Sequence, residues 1–279
     1  MTWFFVSDLH GRPERYTALF AAVRDERPEA VLIGGDFTPP GLVSDGGFVD
    51  SLLGRELSLL RAALGLSFPR VLLIFGNDDR RSTLPLVEEI EREGLVEILH
   101  QRWVTIGGRR VAGYPYVPPT PFRLKDWERY DVGRYVEPGC LSPEEGAHTV
   151  AVDPVTTKFA TIKADLEHLT SEMEVAGSIW LFHAPPYRTN LDRAALDGKT
   201  VDHAPLDVNV GSIAIRRFIE EKQPCLTMHG HIHESARLSG SWRDRIGETH
   251  LLGAAHDGPE LALVRFDPAD PSSARRELI

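Results

Sequence analysis

The sequence predicts an α/β fold, and three observations carry that reading. Short apolar runs alternate with amphipathic stretches along the first part of the chain, as in β-α-β units. The apolar runs are continuous, which implies strands buried on both faces, as in a sheet covered by helices. Asp, His and Asn residues recur where those runs end, the place where ligands gather in α/β sheets.

The elements follow in order. Residues 3–6 read as a strand, and Tyr16, Leu19, Phe20 and Val23 mark a helix by their spacing. A strand is expected at 30–33, a helix at 48–64, a buried strand at 71–75 and a helix at 84–93. From 96 to 113 the pattern shifts to short strands around a Gly107-Gly108 turn, a hairpin signature. Residues 114–150 are rich in Pro, aromatic and charged residues, too long for an ordinary connection, and are expected to form a lid or insertion. A helix is expected at about 154–174, a strand at 179–182, a polar loop insertion at 184–210, a helix at 212–222 and a strand at 225–228. Strands return near 249–252 and 261–266, and the tail from 267 to 279, with its Pro, Ser and charge, reads as loosely held. No internal repeat or low-complexity linker divides the chain, so 1–279 is expected to be a single domain with insertions.

Composition narrows the function. A 279-residue chain that is 42% hydrophobic has enough apolar surface for a full core. No apolar run approaches the roughly 20 residues of a membrane-spanning helix, and the start MTWFFVSDLH carries neither region of a secretion signal. A cytoplasmic protein without a membrane partner is expected. The two cysteines, Cys140 and Cys225, have no Cys-x-x-Cys spacing, so neither a disulfide framework nor a sulfur-rich zinc site is indicated. A net charge of −10 disfavours a non-specific grip on nucleic-acid phosphates and favours a small phosphate ester as partner.

The residues at the strand ends are Asp8 and His10, Asp36, Asn77 to Asp79, His183, and the run His229-Gly230-His231-Ile232-His233. Each alone has an ordinary reading: a helix cap for Asp8, a turn for Asp36 or Asn77, a core histidine for His183. Five strand ends that all acquire metal ligands point instead to one metal-binding crevice.

In Asp8-Leu9-His10, Gly35-Asp36, Gly76-Asn77, His183 and Gly230-His231-Ile232-His233 the sequence resembles the calcineurin-like metallophosphoesterases. The blocks occur in the family's order and span nearly the whole chain. The resemblance implies a four-layer α/β/β/α sandwich with two mixed β-sheets. It implies two divalent transition-metal ions, Mn, Fe, Zn or Ni, one held by Asp8, His10, Asp36 and His233 and the other by Asp36, Asn77, His183 and His231. Asp36 would bridge them, and a hydroxide between the ions would attack phosphorus.

The sequence departs from that family pattern in two places. Asp78 stands where many members carry the His that protonates the leaving group, and an ionised carboxylate is a poor donor. Asp79 would then cap a turn. Near Gly253-Ala254-Ala255-His256 the usual turn sequence is missing, and His256 is a candidate substitute donor or a surface histidine. His229 matches no family ligand and reads as structural.

On the substrate side, Tyr114, Tyr116, Phe122, Arg123, Lys125, Trp127 and Arg129 suit either stacking on a base beside a phosphate or covering a sheet edge. Tyr187 and Arg188, next to His183, are candidate substrate contacts, because a guanidinium fork matches two phosphate oxygens. The leading expectation is a hydrolase of small phosphodiesters or phosphomonoesters, with Asn77 and Asp78 taking part in catalysis. A catalytically weak binding scaffold of the same fold and a nuclease are the alternatives.

Overall fold

The computed structural model describes residues 1–40 and 47–279. The chain runs β1 (Trp3–Val6), α1 (Pro13–Glu26), β2 (Ala30–Gly34), α2 (Arg55–Leu64), β3 (Arg70–Ile74), α3 (Leu84–Arg92) and β4 (Glu97–Ile98). It continues through β5 (Trp103–Ile106), β6 (Arg109–Tyr114), α4 (Pro154–Phe159), α5 (Ile162–Leu169), β7 (Ile179–Phe182), β8 (Thr200–Val201) and β9 (Ala204–Pro205). It closes with α6 (Ile213–Lys222), β10 (Leu226–His229), α7 (Ser235–Ser239), β11 (Arg243–Ile246), β12 (Thr249–Gly253), β13 (Ala262–Asp267) and β14 (Asp270–Leu278). A π-helical stretch, Val49–Gly54, leads into α2.

Among the described residues these strands form two six-stranded sheets, ordered β14-β13-β1-β2-β3-β4 and β11-β12-β10-β7-β6-β5, and the hairpin β8-β9. Both sheets are mixed. β1, β2, β3 and β4 run parallel, with β13 and β14 added antiparallel, and β6, β7, β10 and β12 run parallel between antiparallel β5 and β11.

Strand alternation sorts the apolar residues into layers. Trp3 and Phe5 of β1 share a buried cluster with Leu32, Leu72, Ile179, Leu181, Leu226 and Met228, so this layer lies between the two sheets. Phe4 and Val6 belong to another cluster, with Leu19 and Val23 of α1 and Leu57 and Leu60 of α2. On the second sheet Trp180 and Phe182 meet Phe218 of α6, with ring centroids 4.7 and 5.9 Å away. The result is an α/β/β/α sandwich. Each such aromatic or aliphatic side chain contributes about 1.5–3 kcal/mol on burial.

Local chemistry sets the element ends. α1 begins with Pro13, whose missing N–H would have had no helical partner, and ends at Arg27 in the left-handed region. In α6 the Ser212 hydroxyl accepts from the Ile215 amide at 3.0 Å. The turn between β5 and β6 is Gly107-Gly108, both at positive φ. No helix of the described residues is long and apolar enough to cross a membrane.

Two expectations need correction. The helix expected over 154–174 is two helices, because Ala160 and Thr161 are extended. Thr161 joins Tyr130 in a parallel bridge and then caps α5, its hydroxyl accepting from the Ala164 amide at 3.1 Å. The tail from 267 to 279 is not loose, since Asp270–Leu278 forms the nine-residue edge strand β14 against β13. Its polar, exposed composition suits an edge, where main-chain hydrogen bonds rather than burial hold a strand.

Residues 115–153 contain no helix or long strand but are stitched down by the isolated bridges Val117↔Glu128 and Leu124↔Ala147. At their centre Lys125 Nζ lies 2.5 Å from Glu128 Oε2 and 2.8 Å from the Thr120 carbonyl, with both side chains fully buried.

Candidate metal centre

The carboxyl ends of β1, β2, β3, β7 and β10 open on one edge of the sandwich. There the donor atoms of Asp8, His10, Asp36 and His233 all lie within 4.8 Å of one another, as do those of Asp36, His183 and His231. Asp36 belongs to both groups. His233 Nε2 is 3.2 Å from Asp8 Oδ1 and 3.0 Å from His10 Nε2. His183 Nε2 is 3.2 Å from Asp36 Oδ2 and 3.1 Å from Asn77 Oδ1, which places Asn77 in the second group. The other nitrogen of His183 faces the Gly34 carbonyl at 2.7 Å, fixing the ring so that Nε2 points into the cluster.

The backbone bends sharply to present these side chains. Asp8, His10, Asp36 and His231 all have positive φ, between 49° and 73°, a conformation that costs a non-glycine residue about 1–3 kcal/mol. Surrounding hydrogen bonds hold the bends: the Asp8 amide donates to Gly35 O at 3.0 Å and the His10 amide to Asp36 O at 2.8 Å. Two glycines make the convergence possible. A Cβ on Gly76 would sit 2.3 Å from Asp36 Oδ1 and 2.6 Å from His183 Nε2, and one on Gly230 would sit 2.6 Å from Asp8 Oδ2. The glycine before each of these donors is therefore a clearance requirement of the neighbouring donors.

The electrostatics are those of a site that requires positive charge. Burial would raise the carboxyls of Asp8 and Asp36, but the hydrogen bond from His233 to Asp8 and the charge of His183 beside Asp36 bring both below the ordinary range. Burial works against a charged His183, yet Asp36 holds its pKa up to about 10. His231, by contrast, is brought to about 3 by burial and then by the charge on His183, and so remains a neutral imidazole. Nδ1 of His10 is buried without a hydrogen-bond partner among the described residues. Mixed carboxylate, amide and imidazole donors with unspent lone pairs fit divalent transition metals.

Asp78 lies at the rim. Its amide donates to Asp36 Oδ1 at 2.8 Å, its Oδ1 accepts from Asn77 at 3.0 Å, and its Oδ2 is 3.7 Å from His10 Nδ1. Burial, then the charges of Asp36 and Asp79, raise its carboxyl pKa to about 7. Asp79 does more than cap a turn. Fully buried, it accepts from the Gly76 amide at 2.8 Å and from the amide and hydroxyl of Thr38 at 2.8 and 2.7 Å, so it ties the Asp36 turn to the Asn77 turn. Nothing in a Gly-Asn-Asp-Asp string reveals that partner.

Other candidates have partners elsewhere. Nδ1 and Nε2 of His229 face the Ala184 carbonyl and the Thr227 hydroxyl at 2.9 and 2.7 Å. His256 Nε2 faces Glu260 at 3.1 Å. Tyr187 donates its hydroxyl to Asp207 at 2.6 Å, and Arg188 is exposed, its guanidinium over the Tyr187 ring. Of the 114–150 side chains, Trp127 packs on Phe75 and His100, Arg129 pairs with Asp165 at 2.6 Å, and Lys125 pairs with Glu128. Phe122 remains exposed. An open hollow of about 370 Å³ lies at the other end of β1, lined by Met1, Arg27, Glu29, Leu66 and Phe68, and has no part in the cluster.

Among solved structures the chain is similar to TT1561 of Thermus thermophilus, with a TM-score of 0.58 and 14% identity over 99% of this chain and 98% of that one. It is also similar to a dimetal phosphatase from Danio rerio, with a TM-score of 0.51 and 13% identity over 95% and 91% of the two chains. At such identities the likeness is one of fold. No curated protein matches the sequence. Residues 1–235 match the model of the calcineurin-like phosphoesterases. With that match covering most of its length, the chain belongs to the calcineurin-like phosphoesterase family and is a phosphate-ester hydrolase.

Proposed function

We propose that the protein is a dinuclear metal phosphoesterase acting on small phosphate esters, with diesters favoured. Asp8, His10, Asp36 and His233 donate to one divalent cation, and Asp36, Asn77, His183 and His231 to the other. One observation carries this reading: the two donor groups meet at a single carboxylate, Asp36. Imidazoles, with His183 and His233 giving up any proton to a cation that binds, complete each group without adding negative charge, and Mn, Fe, Zn or Ni would each suit them. When bound, the two cations supply a water of lowered pKa and offset charge on the phosphoryl oxygens. The net charge of −10 supports a small ester over a long polyanion. Arg188, exposed beside the His183 loop, is the proposed phosphate contact, and the Tyr187 ring carries its guanidinium.

Metal analysis tests the core of the proposal. The wild-type protein should hold about two ions per chain, and Asp36→Asn should lower both together. A single tight ion, with no second at any concentration, would sink the reading. Asp78 then sets the dependence on the ester. With cations bound beside it, the Asp78 carboxyl would be drawn back down from about 7 and left ionised, so the departing oxygen would carry much of its own charge and aryl esters should be cleaved far faster than alkyl esters. Asp78→His should raise the alkyl rate more than the aryl rate. Equal rates across leaving groups, unchanged by that substitution, would remove Asp78 from the reaction.

A further inference from the structure

We infer that Arg15 is a positioning residue for the donor group built on Asp8, an inference that rests on the dinuclear reading above. Arg15 lies in the first turns of α1 and is 3% exposed. Among the described residues its guanidinium hydrogen-bonds main-chain carbonyls and no carboxylate. Nη1 donates to Asp8 O, Nη2 to Gly258 O at 2.6 Å and His256 O at 3.3 Å, and Nε to Pro259 O at 3.4 Å. A buried guanidinium is costly unless its donors are satisfied, and here the satisfying carbonyls come from two segments far apart in sequence.

The point of attachment gives the clip its function. Asp8 sits at φ 57°, and its peptide is held at one end by the bond from its amide to Gly35 O and at the other by Arg15 on its carbonyl. Its carboxylate faces His233 Nε2 at 3.2 Å and the His231 amide at 3.1 Å. The fork therefore fixes the backbone from which the Asp8 donor projects. Donors that belong to the second group alone hang on different supports: His183 on the Gly34 carbonyl at 2.7 Å, and the Asn77 turn on Asp79, which accepts from the Gly76 amide at 2.8 Å. Residues 256–259 also lie beyond the 1–235 family match. The clip thus ties a segment outside that match to a donor inside it.

The test uses the full-length protein stripped of metal and titrated with Mn²⁺ or Zn²⁺, as wild type and as Arg15→Met and Arg15→Lys. Lysine keeps the charge but not the fork. Loss of a supporting partner costs about 10–100-fold in metal affinity. One of the two binding equivalents should weaken by about that factor in Arg15→Met, with a smaller loss in Arg15→Lys and little change in the other equivalent. In a His233→Ala background, which removes the same equivalent, Arg15→Met should leave the remaining one unaltered. A clip that only anchors the loop predicts otherwise: a lower unfolding midpoint with both affinities unchanged, or both reduced alike. Either result overturns the inference, as does failure of both variants to fold. A wild-type protein that binds fewer than two ions overturns the dinuclear reading instead, and does so before any substitution is made.

Discussion

In residues 115–153 the buried cations find carboxylates within the protein, whereas at the strand ends carboxylates and imidazoles crowd together. Lys125 meets Glu128 in a pair closed to water, and Arg129 meets Asp165. At the cluster no lysine or arginine side chain pairs with the carboxylates of Asp8 or Asp36 among the described residues; they face imidazoles instead, His183 held towards protonation by Asp36 and His233 by Asp8. The first arrangement completes itself. The second offers its donors to a cation. Buried charge alone therefore does not mark a site; convergence of carboxylates on imidazoles that a metal could deprotonate does, reinforced here by strained backbone.

The contrast can be broken by experiment. The largest effect is expected in the self-contained region. Glu128→Ala leaves the Lys125 ammonium buried and unpaired and should cost about 3–5 kcal/mol in denaturant unfolding, with metal stoichiometry unchanged in the folded fraction. A smaller cost would mean that water reaches Lys125. Next comes Gly76→Ala, whose added methyl collides with Asp36 and His183. A displacement of this order should cut hydrolysis about a hundredfold and reduce both metal affinities, and because the methyl also meets the Asp36 amide nitrogen it should cost about 1–3 kcal/mol of stability. Unchanged turnover would show that the cluster tolerates a shift it should not.

A third effect is set by pH. His100 accepts from the Phe75 amide through Nε2 at 3.1 Å and packs between Phe75 and Trp127. Burial brings its pKa from 6.5 down to about 3. A histidine held neutral contributes stability that is fully present above its unfolded pKa and lost as pH falls through the window from about 6.5 towards about 3. Unfolding free energy should therefore fall by about 1.4 kcal/mol per pH unit for this group, and His100→Gln should remove that share of the slope. Identical slopes in the two proteins would show that His100 is not held neutral. The smallest effect belongs to the α5 cap: Thr161→Ala should cost about 1 kcal/mol of stability and leave hydrolysis untouched.

Much of the centre was legible because its strands are fully buried. Continuous apolar runs such as 3–6, 30–33 and 179–182 fix where a strand must end, and the first polar residues beyond them must face the crevice. What escaped has a common cause, since it depends on partners remote in sequence. The polar β14 shows no apolar period because it is held by the ladder to β13. The break at Ala160-Thr161 depends on a bridge to Tyr130. Asp79 looked like a turn residue until Thr38 was beside it. Lys125 and Arg129, which by sequence suit either a ligand or the cover of a sheet edge, are taken up by Glu128 and Asp165.

The place of β1 at the centre of its sheet also bears on how the protein is made. β1 pairs with β2 on one side, but its other neighbour is β13, with Trp3 opposite Phe266. The Asp8 carboxylate waits in the same way for the His231 amide, 223 residues downstream. During synthesis β1 emerges with one edge bare until β13, far downstream of it, is made. Pairings so distant in sequence close slowly, and an uncovered strand edge invites association with other chains. The donors of Asp8 and His231 thus meet only once distant parts of the chain have joined.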